Sequence, residues 1–332
     1  MMCWPRSCAW YLLPDMSQGF SASDWLAQNG SNGISPGLSE LLWYQRYTKV
    51  LDLTPTMAIH SKLAGTYLAK SKGRGMEFDE VRHYQSGDDV RTIDWRVTAR
   101  SGKVHTKLFR EEKERPVFIL TDLGNSMRFG SALLFKSVQA AHLAALIAWH
   151  VKQRGDKLGG LVFSQQQHLE LKPQSRSHGV LRYFHALTSV HQASDSQRGL
   201  SLTEALSQLR RLVRPGSLVY ILSDFSDFDE HGLRHIRAIR QHNEVTCCCV
   251  TDPLDLALPA NGHGSAAVSD GNRTGYIELG SRSLQQRYAR QQSDSLQQKQ
   301  QLVSQLGCKW LSVSAAEPVL NQLARTVKER GL

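Results

Sequence analysis

The sequence contains no run of apolar residues that approaches the ~18 needed for a membrane-spanning helix. The aromatic-rich segment from Cys3 to Pro14 is too short for a secretory signal and carries Arg6 inside it. These absences favour a cytoplasmic protein without a membrane span. Met16 offers an alternative start of translation, in which case the residues before it are not part of the protein.

The six cysteines have neither the spacing of a disulfide framework nor a paired Cys-x-x-Cys zinc motif. Three of them are adjacent, at Cys247 to Cys249, in an apolar run typical of a buried strand, and we expect them to be reduced core thiols. The chain also lacks a Ser-His-Asp or Cys-His pattern and a phosphate-binding Gly-x-x-x-x-Gly-Lys loop. The common hydrolase and nucleotide-binding signatures are therefore missing.

Acidic residues are outnumbered by basic ones, 30 to 40, which gives a net charge of +10. The basic residues are scattered among acidic ones, so the charge permits an acidic partner or nucleic acid without selecting either. At 332 residues the chain is long enough for roughly two domains and a sizeable core.

Three segments differ in their patterns. Residues 1–36 are rich in Ser, Gly and Asn without a sustained period, which predicts a loosely ordered N-terminal extension. Residues 37–115 combine an amphipathic helix with short strand-like pieces, Ile93 to Trp95 among them, and predict a helix plus a small β-rich signature subdomain. Residues 116–332 alternate apolar runs with helical segments of ten or more residues, which predicts a doubly wound, mostly parallel α/β sheet.

Within the last segment, the stretch from Pro253 to Arg273 is rich in Gly, Ser and Asn and predicts a surface loop. The Gln-rich stretch from Leu284 to Leu306 predicts a long solvated helix.

The apolar run from Val117 to Leu120 predicts a strand buried on both faces, with Asp122 at its end. A second such strand, Leu218 to Leu222, is followed by Asp224. In open α/β sheets ligands gather at the carboxyl ends of strands, and a carboxylate followed by hydroxyl residues could hold a hard cation such as Mg²⁺. The alternative for Asp122 is a solvated loop carboxylate.

A dense pattern of charged and aromatic residues occupies the second segment. Its members are Glu77, Arg82, Tyr84, Gly87, Asp88, Asp89, Arg91, Asp94, Trp95 and Arg100. This pattern resembles the signature of bacterial proteins that carry the "domain of unknown function" number fifty-eight, followed by a von Willebrand factor type A-like domain, in the branch without membrane anchors. The resemblance implies a non-enzymatic adaptor for a MoxR-type AAA+ ATPase, acting in the assembly or maturation of protein complexes.

The resemblance also implies a divalent-ion site made by an Asp-x-Ser-x-Ser motif, a threonine in a second loop and a later aspartate. The matching residues are Asp122, Ser126 and Asp224, with Ser201 as a substitute. Gly124 replaces the first serine, the threonine position falls on Leu200, and Thr203 is out of register. Mg²⁺ is therefore expected to bind only weakly.

Two other function classes stay open. Asp88, Asp89 and Asp94 could form a metal-dependent hydrolase site with His83 as base. Nearby arginines suit bidentate pairing with these carboxylates, which predicts a structural ion-pair network instead. These arginines are Arg82, Arg91, Arg96 and Arg100.

Nucleic-acid binding is the other alternative, and it would depend on two basic clusters. The clusters are Arg210, Arg211 and Arg214, and Arg234, Arg237 and Arg240, the last three at a spacing that places them on one helix face. They lack interleaved aromatic residues for base stacking, which argues against nucleic acid as the partner.

Overall fold

The computed structural model describes residues 21–50, 76–85, 88–111, 114–193, 199–259, 264–269 and 274–329. The chain divides into two compact units, residues 1–58 with 115–332 and residues 59–114. The larger unit contains the main sheet, and the smaller one contains the signature segment.

The strands are β1 (Met76–His83), β2 (His105–Glu111), β3 (Pro116–Asp122), β4 (Lys157–Phe163), β5 (His168–Gln174), β6 (Leu218–Ser223), β7 (Glu244–Thr251), β8 (Ser265–Ser269), β9 (Thr274–Glu278) and β10 (Lys309–Ser314). The α-helices are α1 (Ala22–Asn29), α2 (Leu38–Trp43), α3 (Trp95–Ser101), α4 (Lys136–Gln153), α5 (Arg176–Gln192), α6 (Leu202–Leu212), α7 (Glu230–Arg240), α8 (Pro253–Leu256), α9 (Arg282–Gln305) and α10 (Val319–Glu329).

The main sheet has the strand order β10-β7-β6-β3-β4-β5. Its neighbours pair in parallel, apart from β5, which is antiparallel to β4 at one edge. Strand β3 lies inside the sheet and is buried from Val117 to Asp122, as an unbroken apolar run requires. The edge strand β5 is half exposed and was not predicted, although Leu169 and Leu171 alternate with polar residues in it.

Helices cover both faces of this sheet. One apolar cluster joins the sheet to α4, α5 and α10, and a second joins the opposite face to α6, α7 and α9. The predicted fold class, a doubly wound and mostly parallel α/β sheet, is therefore confirmed. Among helices in the described ranges, none combines the length and apolar character needed to cross a bilayer.

The N-terminal helices α1 and α2 explain why α4 is buried on nearly every side. Trp25 packs against Leu134 and Val138, and the Trp149 indole N–H donates to the Leu41 carbonyl oxygen at 3.0 Å. Residues 21–36 are thus folded on the larger unit rather than loosely ordered, and α2 lies in this unit and not with the signature segment. The expected extension at residues 1–20 lies outside the described residues.

In the smaller unit, β1 and β2 form an antiparallel pair with an irregularity between Phe78 and Glu80. The prediction of a strand that includes Trp95 is wrong, because helix α3 begins at Trp95. The Asp94 carboxylate accepts the backbone N–H groups of Arg96 and Val97 at 3.0 and 3.1 Å and so caps the helix.

The surface loop expected from Pro253 to Arg273 is also only partly correct. It begins with α8 and contains β8, which pairs antiparallel with β9. The long helix predicted after it is confirmed as α9.

Candidate functional site

The carboxyl ends of β3 and β6 bring together Asp122, Ser223 and Asp224. These two strands are parallel neighbours, so their last residues lie side by side. The Asp122 Oδ2 atom accepts a hydrogen bond from the Ser223 hydroxyl at 2.7 Å, and Oδ1 accepts one from the Gly124 N–H at 2.8 Å. Two of the residues expected at the site, Asp122 and Asp224, thus lie at the ends of adjacent strands, and Asp122 is only 6% exposed.

Burial and the nearby charge of Asp224 raise the pKa of Asp122 to about 7, although the Ser223 hydroxyl and the Gly124 N–H lower it. A free carboxylic acid has a pKa near 4, so Asp122 exchanges its proton close to neutral pH.

Asp224 has a different partner, the ammonium group of Lys136. Lys136 Nζ lies 2.9 Å from Asp224 Oδ2 and 2.8 Å from Asp255 Oδ2, and its side chain is 4% exposed. Burial raises the pKa of Asp224, but the charge and hydrogen bond of Lys136, together with the hydrogen bonds from Ser226, outweigh burial and hold this pKa below its usual value. Burial likewise lowers the pKa of Lys136, and the two carboxylates overcome this and raise it. The site therefore contains its own cation.

Sequence reasoning missed Lys136 and Asp255, although one signal was available. Lys136 is the first residue of α4, and the first turn of that helix contains no acidic residue. A cation there opposes the helix dipole, which costs free energy unless anions lie close by. A lysine in this position thus indicated a local partner.

The other expected ligands have different roles. Ser201 caps α6: its hydroxyl accepts the Glu204 backbone N–H at 3.3 Å and donates to Glu204 Oε2 at 2.8 Å. The Thr203 hydroxyl donates to Asp229 at 2.8 Å. Leu200 packs against the apolar cluster under α6, as its side chain would suggest. Ser126 lies half-buried in the short 3-10 turn Asn125–Met127, on the same loop as Asp122.

Gln165 fills the space that a serine at position 124 would need. A Cβ atom on Gly124 would lie 2.8 Å from both side-chain heteroatoms of Gln165 and 3.0 Å from Asp122 Oδ1. Gln165 Oε1 accepts the Asn125 backbone N–H at 2.8 Å, which fixes the amide there. The space of the missing first serine is therefore occupied by the Gln165 side chain from the β4–β5 turn.

The Lys136 cluster opens into a cavity of about 240 Å³ between the sheet edge and α9. Its polar lining includes Ser226, Thr251, Tyr288 and Lys299. Phe225, just before Ser226, has a left-handed backbone with φ of 54° and is fully buried. Such strain in a non-glycine residue is typical of functional turns. Within the described residues, no group of three or more His, Cys, Asp or Glu side chains is arranged to hold a metal ion.

The carboxylates of the signature segment are each engaged locally. Asp88 forms an ion pair with Arg82 at 2.7 Å, and Asp89 caps a 3-10 turn through the Arg91 N–H at 3.0 Å. Asp94 caps α3, and its Oδ2 atom lies 3.7 Å from Lys107 Nζ. Its ion-pair partner is therefore a lysine and not one of the predicted arginines. Backbone N–H groups hold the pKa of Asp94 below its usual value.

The other signature residues are spread over β1, α3 and the segments between them. The His83 and His105 rings are in tilted contact with centroids 4.4 Å apart, and the Tyr84 backbone N–H donates to the Val104 carbonyl oxygen. Arg91 and Arg100 are exposed, as is Trp95 at 70%. Glu77 lies in β1 opposite Arg110, and Gly87 lies outside the described residues.

Residues 80–299 match the model of a family described as "Protein of unknown function DUF58". Uncharacterised proteins from Mycobacterium tuberculosis and Mycobacterium bovis are 32% identical to the chain over 217 residues, which is 64% of this chain and 67% of theirs.

Two solved structures show more distant similarity. The conserved hypothetical protein BatB from Bacteroides thetaiotaomicron is 16% identical, with a TM-score of 0.41 over 65% of this chain and 98% of that one. A von Willebrand factor type A protein from Catenulispora acidiphila is 14% identical, with a TM-score of 0.30 over 45% of this chain and 35% of that one.

Proposed function

The chain belongs to the DUF58 family of proteins of unknown function, and we propose that it is a non-enzymatic adaptor whose docking surface is the crevice at the ends of β3 and β6. The partner in this proposal is a MoxR-type AAA+ ATPase, and the interaction takes place in the cytoplasm.

The observation that carries the proposal is the position of Lys136 between Asp224 and Asp255. A divalent ion at this edge would need the carboxylate oxygens that the ammonium group already contacts at 2.9 and 2.8 Å. Asp224 and Asp255 are therefore already paired with a cation of the protein itself, and a partner can dock on the crevice without an added ion.

The rim of the crevice supports docking. Asn125 and Ser226 are exposed on the two loops that follow β3 and β6, and Asp227 follows Ser226. Polar and charged side chains at a rim contribute to the orientation and specificity of a partner more than to raw affinity. The signature residues, through their resemblance to proteins that accompany MoxR-type ATPases, support the choice of partner.

The same proposal holds that the protein is not a hydrolase. Each of the candidate hydrolase carboxylates already has a structural role: Asp88 pairs with an arginine, Asp89 caps a turn and Asp94 caps a helix. A general acid or base needs a free carboxyl group directed at substrate, and these three groups are occupied.

Binding between the purified protein and a purified MoxR-type ATPase from the same organism tests the proposal. Asn125→Arg and Ser226→Arg each place a bulky cation at an exposed position of the rim, and we expect each to weaken binding at least about tenfold in calorimetry.

His185→Arg is the matched control, because His185 is exposed on α5 and the variant adds the same charge away from the crevice. It should bind like the wild type. Equal binding by all variants would show that the crevice is not the docking surface. No binding by the wild type would reject the ATPase as partner.

A further inference from the structure

A second surface of the larger unit lies at the opposite edge of the sheet from the crevice. Helix α7 ends at Arg240, just before the start of β7, and Leu306 and Gly307 precede the start of β10. In parallel strands these starts lie at the amino edge, whereas Asp122 and Asp224 lie at the carboxyl edge. The two surfaces are therefore separated by the length of the sheet.

An open groove of about 690 Å³ runs along this second surface, within the size range of ligand sites. The lining residues are Arg234, Arg237, Ala238, Arg240, Gln241 and Leu306. Arg234, Arg237 and Gln241 recur at helical spacing, so they project from one face of α7. Ala238 and Leu306 supply apolar surface between the guanidinium groups.

The arginines of the groove are not equivalent. The Arg240 Nε donates to the Gly307 carbonyl at 2.8 Å and Nη1 donates to the Asn243 carbonyl at 3.2 Å, so this side chain forms a fixed wall. Arg234 and Arg237 are exposed, and no ion pair between described residues involves either one. Their charges are available to a partner.

Helix α6 adds further positive charge beside α7. Burial lowers the pKa of His235 on α7, and the charge of Arg210 on α6 is the next cause, which places Arg210 close to this histidine. Arg211 and Arg214 follow at the end of α6 and are exposed. The chain as a whole carries a net charge of +10. The surface is thus a concentrated part of a general positive bias, suited to attract an anionic partner.

We propose that this arginine groove, defined by Arg234, Arg237, Ala238, Arg240, Gln241 and Leu306, binds an acidic polypeptide segment that carries an apolar residue among its carboxylates. Guanidinium groups pair with carboxylates in a bidentate geometry, and the alanine and leucine between them accept an apolar side chain. Nucleic acid fits less well, because none of the groove residues is aromatic and bases bind single-strand sites by stacking on rings.

Fluorescence anisotropy with three labelled probes tests this assignment. The probes are a short all-glutamate peptide, a peptide with the same number of glutamates and two leucines inserted at its centre, and a single-stranded DNA with the same number of negative charges. We expect the leucine-containing peptide to bind most tightly and the DNA most weakly at physiological salt. Tighter binding of DNA, lost on reversal of Arg234 and Arg237, would assign the groove to nucleic acid and overturn the proposal.

Two variants locate the binding. The double variant Arg234→Glu and Arg237→Glu should weaken peptide binding at least about tenfold. The double variant Lys172→Glu and Arg182→Glu makes the same charge change at exposed positions on β5 and α5 and should have much less effect. Equal loss in both variants would mean that only net charge attracts the peptide, which contradicts a built groove.

Ala238→Gln tests the apolar surface that Ala238 and Leu306 supply in the groove, without changing its charge. This substitution should remove the advantage of the leucine-containing peptide over the all-glutamate peptide. If Ala238→Gln still binds the leucine-containing peptide more tightly than the all-glutamate peptide, the apolar side chain is not bound by Ala238 and Leu306. Circular dichroism on every variant checks that the fold is intact. Because these probes do not involve the ATPase or the crevice, their outcome is independent of the proposed function.

Discussion

Lys136 Nζ lies 2.9 Å from Asp224 Oδ2. A divalent ion bound at this site would need the same carboxylate oxygen as a ligand. A fixed ammonium group and a metal ion compete for the same oxygens, and the ammonium group is attached to the chain. Its effective concentration is therefore high, and a free ion must displace it as well as lose its own water.

We predict that Mg²⁺ binds the wild type no tighter than roughly millimolar, a free energy near 4 kcal/mol. Lys136→Met should bind Mg²⁺ at least about tenfold more tightly, because it leaves Asp224 and Asp255 without their cation. Isothermal titration calorimetry measures both, and Lys172→Met on β5 serves as a control that removes an exposed lysine. Micromolar binding by the wild type that disappears in Asp122→Ala would show that an ion completes the site after all.

The same variant should lose stability when no ion is present. Removing one partner of a buried ion pair leaves an uncompensated charge and costs about 3–5 kcal/mol. Urea unfolding of Lys136→Met measures this loss, and Mg²⁺ should restore part of it because the ion binds only the folded state. A variant as stable as the wild type in EDTA would mean that the cluster contributes little to folding.

We expect Gly124→Ser to destabilise the protein by about 1–3 kcal/mol rather than to rebuild an ion site. The new Cβ would lie 2.8 Å from the Gln165 side chain, so either that amide or the loop must move. Adding Gln165→Ala should relieve the contact and recover part of the stability. Gly275→Ser is a suitable control, since no atom lies within 4 Å of its added Cβ. Tighter Mg²⁺ binding by Gly124→Ser alone would contradict this account.

Asp122 predicts a specific pH dependence of stability. Its pKa rises from 3.8 to about 7 on folding, so the folded state binds the proton more tightly than the unfolded state. The stabilisation from the protonated form is complete below pH 3.8 and is lost as the pH rises through about 7, a total of about 4 kcal/mol.

Asp122→Asn removes this titration and should therefore gain stability relative to the wild type between pH 5 and pH 8, by on the order of 2–3 kcal/mol. Urea unfolding at the two pH values provides the comparison. Asp294→Asn, an exposed position on α9, should show no such gain. A constant difference between the Asp122 variant and the wild type across this range would reject the raised pKa.

Asp94→Ala should lower the melting temperature by several degrees, because the carboxylate caps α3 and lies near Lys107. Asp94→Asn keeps the capping oxygen and loses only the charge, so it should retain most of the stability. Differential scanning calorimetry on the two variants separates these contributions. Unchanged stability of Asp94→Ala together with loss of a hydrolytic activity would favour the hydrolase alternative.

How much of this protein can be predicted from its sequence depends on the range of the interactions involved. The strand before Asp122 was predictable, because an apolar run too short for a helix must be buried on both faces. The small unit shows the limit of such patterns: Trp95 looked like part of a strand, and the cap provided by Asp94 makes it the start of a helix. The antiparallel edge strand β5 was not predicted, because the alternation of Leu169 and Leu171 with polar residues is short and the strand is stabilised by pairing with β4.

The sequence by itself determined the alternation of buried strands and helices and the positions of Asp122 and Asp224 at strand ends, since these follow from local periodicity. Only the tertiary structure decided that Asp224 pairs with the ammonium group of Lys136, while Asp122 accepts hydrogen bonds from Ser223 and Gly124. Lys136, Asp224 and Asp255 are separated by long stretches of chain, and nothing local relates them. The first turn of α4, the loop after β6 and the short helix α8 must pack at one edge of the sheet before the ammonium group can replace an ion. That replacement is a property of the fold and cannot be read from any one segment.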